Sequence, residues 1–341
     1  KYTSAENAAH QIEESHAMIC RAHFNLAEFC DKQYRAIERE QSSPQWQARQ
    51  RLLAHTDKQL DLMTKKKGSR RSSADKDFLL YKATAARFHE QDQREALAME
   101  SRKMEFLRVA LSHYKSTLVK GKLHNNKVAF RVCQLWFKLS DNEDVLGKMA
   151  KLIEEVPSHT FLCLMYQIGS RLGPSKGGLT FESTVTKLLT KMCFDHPHHT
   201  LPHIFAFANA GRGKDGTTKD SKNNSGYAVD KTKVLAANAI LQKVRKRTPA
   251  LYEEYLMMIN ACISLAVLQV KKTGGDPLDP HMPRSAKELM ELPNVPILTT
   301  KVRVDETCRY EAGHFEHFVS FRPEVKLVGG INAPKLVRAI D

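Results

Sequence analysis

The sequence lacks several things, and each absence excludes something. No apolar run reaches the length of a bilayer-spanning helix and no signal peptide opens the chain, so no membrane partner is expected. The seven cysteines stand singly, five of them in apolar helical patterns, and none has the paired spacing of a disulfide framework or a zinc ribbon. That usage fits reduced thiols in the nucleus or cytoplasm. No elbow motif surrounds a Ser or Cys, which excludes a nucleophilic triad. Acidic residues are short: 38 Asp and Glu face 53 Lys and Arg, a formal charge of +15. This balance suits an acidic partner or nucleic acid, and a nucleic-acid-binding module is one alternative. The basic residues are dispersed over many segments without interleaved aromatics, however, so direct DNA contact lacks the stacking pattern it would need. The chain starts at Lys1 rather than Met, as a piece of a longer protein would.

What is present is helical period. Between Ala5 and Gln41, Ile12, Ala17, Ile19, Ala22, Leu26, Phe29, Ala36 and Ile37 recur mostly at steps of three and four, which predicts one long helix or two. Ser42-Ser43-Pro44 is a stop and restart, since Ser caps and Pro suits a first helical turn. A basic Gly/Ser-rich loop follows at about 64–74. Helical period resumes from Ala74 to Lys120, with Gly121 as its C-cap. Shorter helices are predicted at 128–139, 145–156, 161–172, 181–194, 201–210, 230–246 and 249–271, with a second polar loop at 211–229. Short helices in antiparallel order predict a mainly α fold, a degenerate helical-repeat (TPR-like) α-solenoid over residues 1–290. An inert helical-repeat scaffold is the other alternative.

The tail, 291–341, changes character. Proline punctuation gives way to predicted strands at Ile297–Val304, Phe315–Phe321 and Glu324–Val328; after Gly329-Gly330 the chain returns through Pro334–Ile340.

One stretch is chemically particular: Asp195-His196-Pro197-His198-His199-Thr200-Leu201. Imidazoles bind metals and shuttle protons, and His199 and His203 have the four-residue spacing of two ligands on one helix. Pro197 beside the capping-competent Asp195 and Thr200 equally marks a helix-to-helix junction.

The order of these pieces resembles a known family. Phe161-Leu162-Cys163-Leu164-Met165-Tyr166-Gln167, Gly177-Gly178-Leu179-Thr180-Phe181, the histidine stretch and Ala206-Phe207-Ala208-Asn209-Ala210 resemble the end of the FAT domain of phosphatidylinositol 3-kinase-related protein kinases, most closely its ataxia telangiectasia mutated branch. Asp31–Glu38, Phe130–Trp136 and the tail agree with it, Pro296–Asp305 resembling the entrance of the kinase N-lobe and Phe321–Ala339 its first hairpin. The likeness is patchy over 41–102 and 211–229. It implies a nuclear and also cytoplasmic Ser/Thr protein kinase that uses ATP and Mg, phosphorylates Ser or Thr followed by Gln in the DNA double-strand-break response, and works as a homodimer with a break-sensor complex. It implies that this region clamps its own kinase domain. The same region of ATR, DNA-PK or mTOR remains an alternative. Of the nucleotide machinery, only Gly329 and Gly330 can be carried over, as backbone near the phosphates. No Gly-Asp-Arg-His or Asp-Phe-Gly segment occurs, so the stretch alone is expected to be inactive.

Overall fold

In the computed structural model, residues 2–65, 73–121, 124–173, 178–210, 230–267, 292, 294–298, 300–311, 315–316, 320–327 and 335–340 are described. They divide into two compact units, Lys1–Val128 and Ala129–Asp341.

In the first unit the periodic segments become long helices: α1 (Tyr2–Gln41), α2 (Pro44–Lys65) and α3 (Ser73–Lys120). The stretch that could have been two helices is one of 40 residues. Ser43 Oγ accepts the Trp46 N–H at 3.2 Å and Pro44 opens α2, as the restart signal predicts. Buried Cys20, Phe24, Ala27 and Tyr34 on α1 face buried Leu107, Leu111, Tyr114 and Leu118 on α3. These steps of three and four make a heptad seam. The helices are antiparallel: Cys20 Sγ reaches the Thr117 carbonyl, His23 Nδ1 lies 2.8 Å from His113 Nδ1, and Gln41 meets Glu100 at 2.9 Å. α2 continues along α3, with Arg49 bridging Asp92 and Glu95, so the 48 residues of α3 span about 72 Å at the usual rise. Gly121 ends α3, its N–H on the Thr117 carbonyl at 3.1 Å; any Cβ there would come within 2.1 Å of Cys20 Sγ. The seam explains why that residue is glycine.

The second unit follows the short-helix expectation: α4 (Asn125–Lys138, whose first residues belong to the first unit), α5 (Glu143–Glu155), α6 (Met165–Gly169), α7 (Phe181–Asp195), α8 (Pro197–Ala208), α9 (Lys231–Arg247) and α10 (Pro249–Val267). Starts are capped by short polar residues: Asn142 accepts the Val145 N–H, Thr180 and Ser183 form a capping box, and Asp230 accepts from Thr232 and Lys233. Lys191 Nζ closes the far end of α5 on the carbonyls of Ile153 and Val156 at 2.8 and 2.9 Å. The core between these helices holds Trp136, Met149, Phe161, Leu188, Met192 and Phe205, all essentially inaccessible.

Three expectations fail here. The helix predicted at 161–172 is a 3-10 helix at Ser158–Leu164 followed by the single α turn of α6. Pro157 starts the tight winding, and Gly169 must sit where a Cβ would meet the Phe207 ring at 2.4 Å. The strand predicted at 297–304 does not form among the described residues there. The two strands read at 315–321 and 324–328 are one over the described residues, β1 (Ser320–Leu327), paired antiparallel with β2 (Lys335–Ile340) from Ser320 opposite Ile340 to Leu327 opposite Lys335. Its register breaks between Phe321 and Val325, where Pro323 has no N–H to give the ladder. Gly329 and Gly330 lie outside the described residues.

Candidate functional site: a histidine junction under a strap

α7 hands over to α8 at His196, which is C-cap of one and N-cap of the other, with Pro197 at the first position of α8. The proposed caps do other work. Asp195 accepts the Ser158 hydroxyl at 2.6 Å, Thr200 Oγ1 donates to the Met192 carbonyl at 3.3 Å, and no side chain caps α8. Proline at that position has no N–H to satisfy, so the junction needs less capping than the sequence suggested.

The histidines turn instead toward the chain after α10. The described residues between 292 and 316 form a strap, in neither helix nor strand, whose side chains meet the junction, with Leu292, Val295 and Pro296 buried at its start. Glu254 on α10 accepts the Asn294 backbone N–H at 2.9 Å. His199 Nε2 donates to the Val302 carbonyl at 3.0 Å. Tyr310 lies among three imidazoles, its ring centre 6.0 Å from His196, 5.1 Å from His198 and 5.8 Å from His199. The Tyr310 hydroxyl accepts from the Asp305 N–H at 3.4 Å and shares a hydrogen bond with His196 Nδ1 at 2.6 Å. The other ring nitrogen of His196, Nε2, faces Cys308 Sγ at 3.7 Å. His198 Nδ1 meets the buried Tyr255 hydroxyl at 2.9 Å, and the Phe315 ring lies 4.6 Å from its own. Asp305 shapes the turn between, accepting the N–H groups of Thr307 at 2.8 Å and Arg309 at 3.0 Å.

Burial holds His196 and His198 down at about 4, so both are neutral at neutral pH. Burial also pushes the Tyr310 phenol up to about 12. The His196–Tyr310 and His198–Tyr255 contacts are therefore hydrogen bonds between uncharged groups. Beside it a cavity of about 450 Å³ opens between Phe194, Pro197 and His198, the α10 start at Thr248–Leu251, and Asn294, Cys308 and Tyr310 of the strap.

The two metal candidates are not brought to one point with a third ligand. His199 spends Nε2 on Val302 while His203 is exposed, and among the described residues no group of three or more His, Cys, Asp or Glu can hold a metal ion. Tyr310, Tyr255, Asn294 and Glu254 were not anticipated. The Asp305-Glu306-Thr307 turn signature was the available signal, and it would have argued against a strand through 304.

No protein-family model matches the chain. Curated relatives do. The chain is 32 % identical over 336 residues to the serine/threonine-protein kinase ATM of Arabidopsis thaliana, covering 95 % of this chain and 9 % of that protein. It is 29 % identical over 332 residues to the serine-protein kinase ATM of Sus scrofa, covering 94 % and 10 %. With the serine/threonine-protein kinase tel1 of Aspergillus oryzae it shares 27 % over 334 residues, again 94 % and 10 %. The chain thus spans about a tenth of the length of these relatives. Among solved structures, the FAT and kinase domain of CtTel1 matches 94 % of this chain, which covers 20 % of it, with a TM-score of 0.72 at 22 % identity. A complete CtTel1 dimer with C2 symmetry also matches 94 % of this chain, which covers 11 % of it, with a TM-score of 0.72 at 23 % identity. At those identities the structural likeness shows the fold, a helical solenoid of FAT type, while the sequence relatives show descent. Over at least 94 % of its length, the chain is homologous to a stretch of the ATM/Tel1 serine/threonine-protein kinases.

Proposed function

We propose that the chain is the regulatory FAT-type region of an ATM-like Ser/Thr protein kinase, running into the first strands of the kinase N-lobe. The observation that carries this is collinearity: one continuous match runs through the helices, the histidine junction and the tail of kinases of this family. In this reading the helices clamp and position the kinase lobes, and the whole protein transfers phosphate from ATP with Mg to Ser or Thr before Gln in the response to DNA double-strand breaks. It does so in the nucleus and also the cytoplasm. Homodimerisation is supported by the dimeric state of the matched CtTel1 structure. In this reading the β1–β2 hairpin is the nucleotide-facing start of the lobe, and Gly329 and Gly330, which fall between its strands in the sequence, are the residues suited to give backbone room near the phosphates. Phosphoryl transfer needs a strand Lys, a catalytic Asp and metal ligands, so the 341 residues alone are inactive.

The test is a peptide kinase assay with ATP and Mg on the longer protein and on the 341-residue chain. The longer protein should phosphorylate a Ser-Gln peptide and spare its Ser-Ala counterpart, and the chain alone should do neither. No Ser-Gln activity in the longer protein would overturn the reading.

A further inference from the structure

We propose that His23 of α1 and His113 of α3 are a transition-metal site: the two Nδ1 atoms hold one divalent ion of the Cu2+ or Ni2+ kind, water fills its other positions, and the ion pins the antiparallel helices together. The site is independent of the kinase reading and lies within the first unit alone.

Three observations converge. The first is the distance, since His23 Nδ1 and His113 Nδ1 stand 2.8 Å apart. Two nitrogens bound at about 2.0 Å and at a right angle on one ion are about 2.8 Å apart, the edge of a square-planar or tetragonal site. A tetrahedral angle would set them about 3.3 Å apart, so the pair matches copper or nickel better than zinc. The second is the approach. The ring centres lie 5.0 Å apart with the planes tilted by 34°, so the imidazoles meet edge to edge rather than face to face. Bringing both lone pairs onto an ion beside the pair takes a swing of about 45° per ring, within the broad range of the histidine χ2 torsion.

The third is availability. At the α7–α8 junction the imidazoles are bonded to tyrosine hydroxyls and a carbonyl, whereas here each Nδ1 is met by that of the other ring. Both rings are half-buried at the margin of the seam, so an ion and its waters reach them from solvent. Burial, with His113 and Lys120 nearby, lowers the His23 pKa, and the unprotonated imidazole is the form a metal takes. Lys120 itself is exposed, and salt and water screen its charge.

The setting gives the ion leverage. His23 and His113 are 90 residues apart in the chain, and beside them the seam closes through Cys20 on the Thr117 carbonyl and through buried Phe24 and Tyr114. An ion shared by the two helices binds the closed seam and not the open chain, so it stabilises the pairing by mass action. Two protein ligands leave the ion exchangeable, in contrast to a closed structural site of four.

The experiment titrates Cu2+ and Ni2+ into the untagged 341-residue chain and into four variants: His23→Gln and His113→Gln at the seam, and His16→Gln and His55→Gln as controls on exposed histidines of α1 and α2. Calorimetry and electron paramagnetic resonance read copper binding, and hydrogen exchange reads the pairing of the helices. In the wild type one copper equivalent should bind at least tenfold tighter than any further ones, with a tetragonal spectrum that carries coupling to two nitrogens. Either seam variant should lose that equivalent, and both controls should keep it. Nickel should slow exchange of amides 20–27 and 107–117 at least fivefold in the wild type and leave the seam variants unchanged. Glutamine keeps a hydrogen-bonding side chain, and variants on two different helices keep the test decisive if one fails to fold. Equal copper affinity in the wild type and the seam variants overturns the site, as does a loss that the controls match. Tight binding without slower exchange overturns the pinning.

Discussion

Along α3, the half that meets α1 buries Leu107, Leu111, Tyr114 and Leu118 in a heptad seam, while the half that meets α2 leaves Leu80, Tyr81, Phe88 and Leu97 at 60 % exposure or more. The second unit is built the other way. Its main helices run 12–19 residues, and each contributes several wholly inaccessible side chains to a shared core. Helix length and burial are thus inversely arranged in the two units. A two-helix contact can hide only one narrow stripe per helix, whereas a short helix packed among several neighbours hides most of its circumference. Long helices here give reach, and short ones give stability.

Trp136→Ala should break this contrast most severely. The indole is wholly buried, 5.2 Å from the Phe181 ring centre, and its loss should cost the second unit about 4 kcal/mol in denaturant unfolding. Within α3, Leu111→Ala should cost about 3 kcal/mol and the exposed Leu97→Ala less than about 0.5, which sharpens the comparison inside one helix. A smaller effect follows from protons. His196 and His198 titrate near 4 when folded and near 6.5 when not, so folding keeps them neutral where the unfolded chain would charge them. Their neutral burial carries no penalty above pH 6.5, and stability falls as the pH drops from 6.5 toward 4. The expected slope is on the order of 1 kcal/mol per pH unit for each histidine. Asp195 and Asp305 near His196 lessen the shift, and His159 and His199 add to it. Thermal melts across that range should show the decline, and His198→Phe should roughly halve it.

Helix periods and breaks were readable because they are local: Ser43-Pro44, Asn142, Thr180 and Asp230 each start a helix where the chain announces one. The strap was not readable. Ile297–Val304 alternates as a strand would, and nothing within the segment reveals that its partner is a set of side chains about a hundred residues earlier, where His199 takes the Val302 carbonyl. The histidine stretch was legible as a helix junction, yet its hydrogen-bond partners, Tyr255 and Tyr310, are distant in sequence. Pro157 and Gly169 were visible, but the Phe207 ring that leaves no room for a Cβ at Gly169 is distant in sequence.

Native-state hydrogen exchange on the intact 341-residue chain tests the contrast between the units most directly. The amides of α7 and α8 should exchange only through global unfolding of their unit, and those of α2 and of residues 80–100 in α3 should open at a much smaller free energy. Equal protection in the two sets would contradict the account.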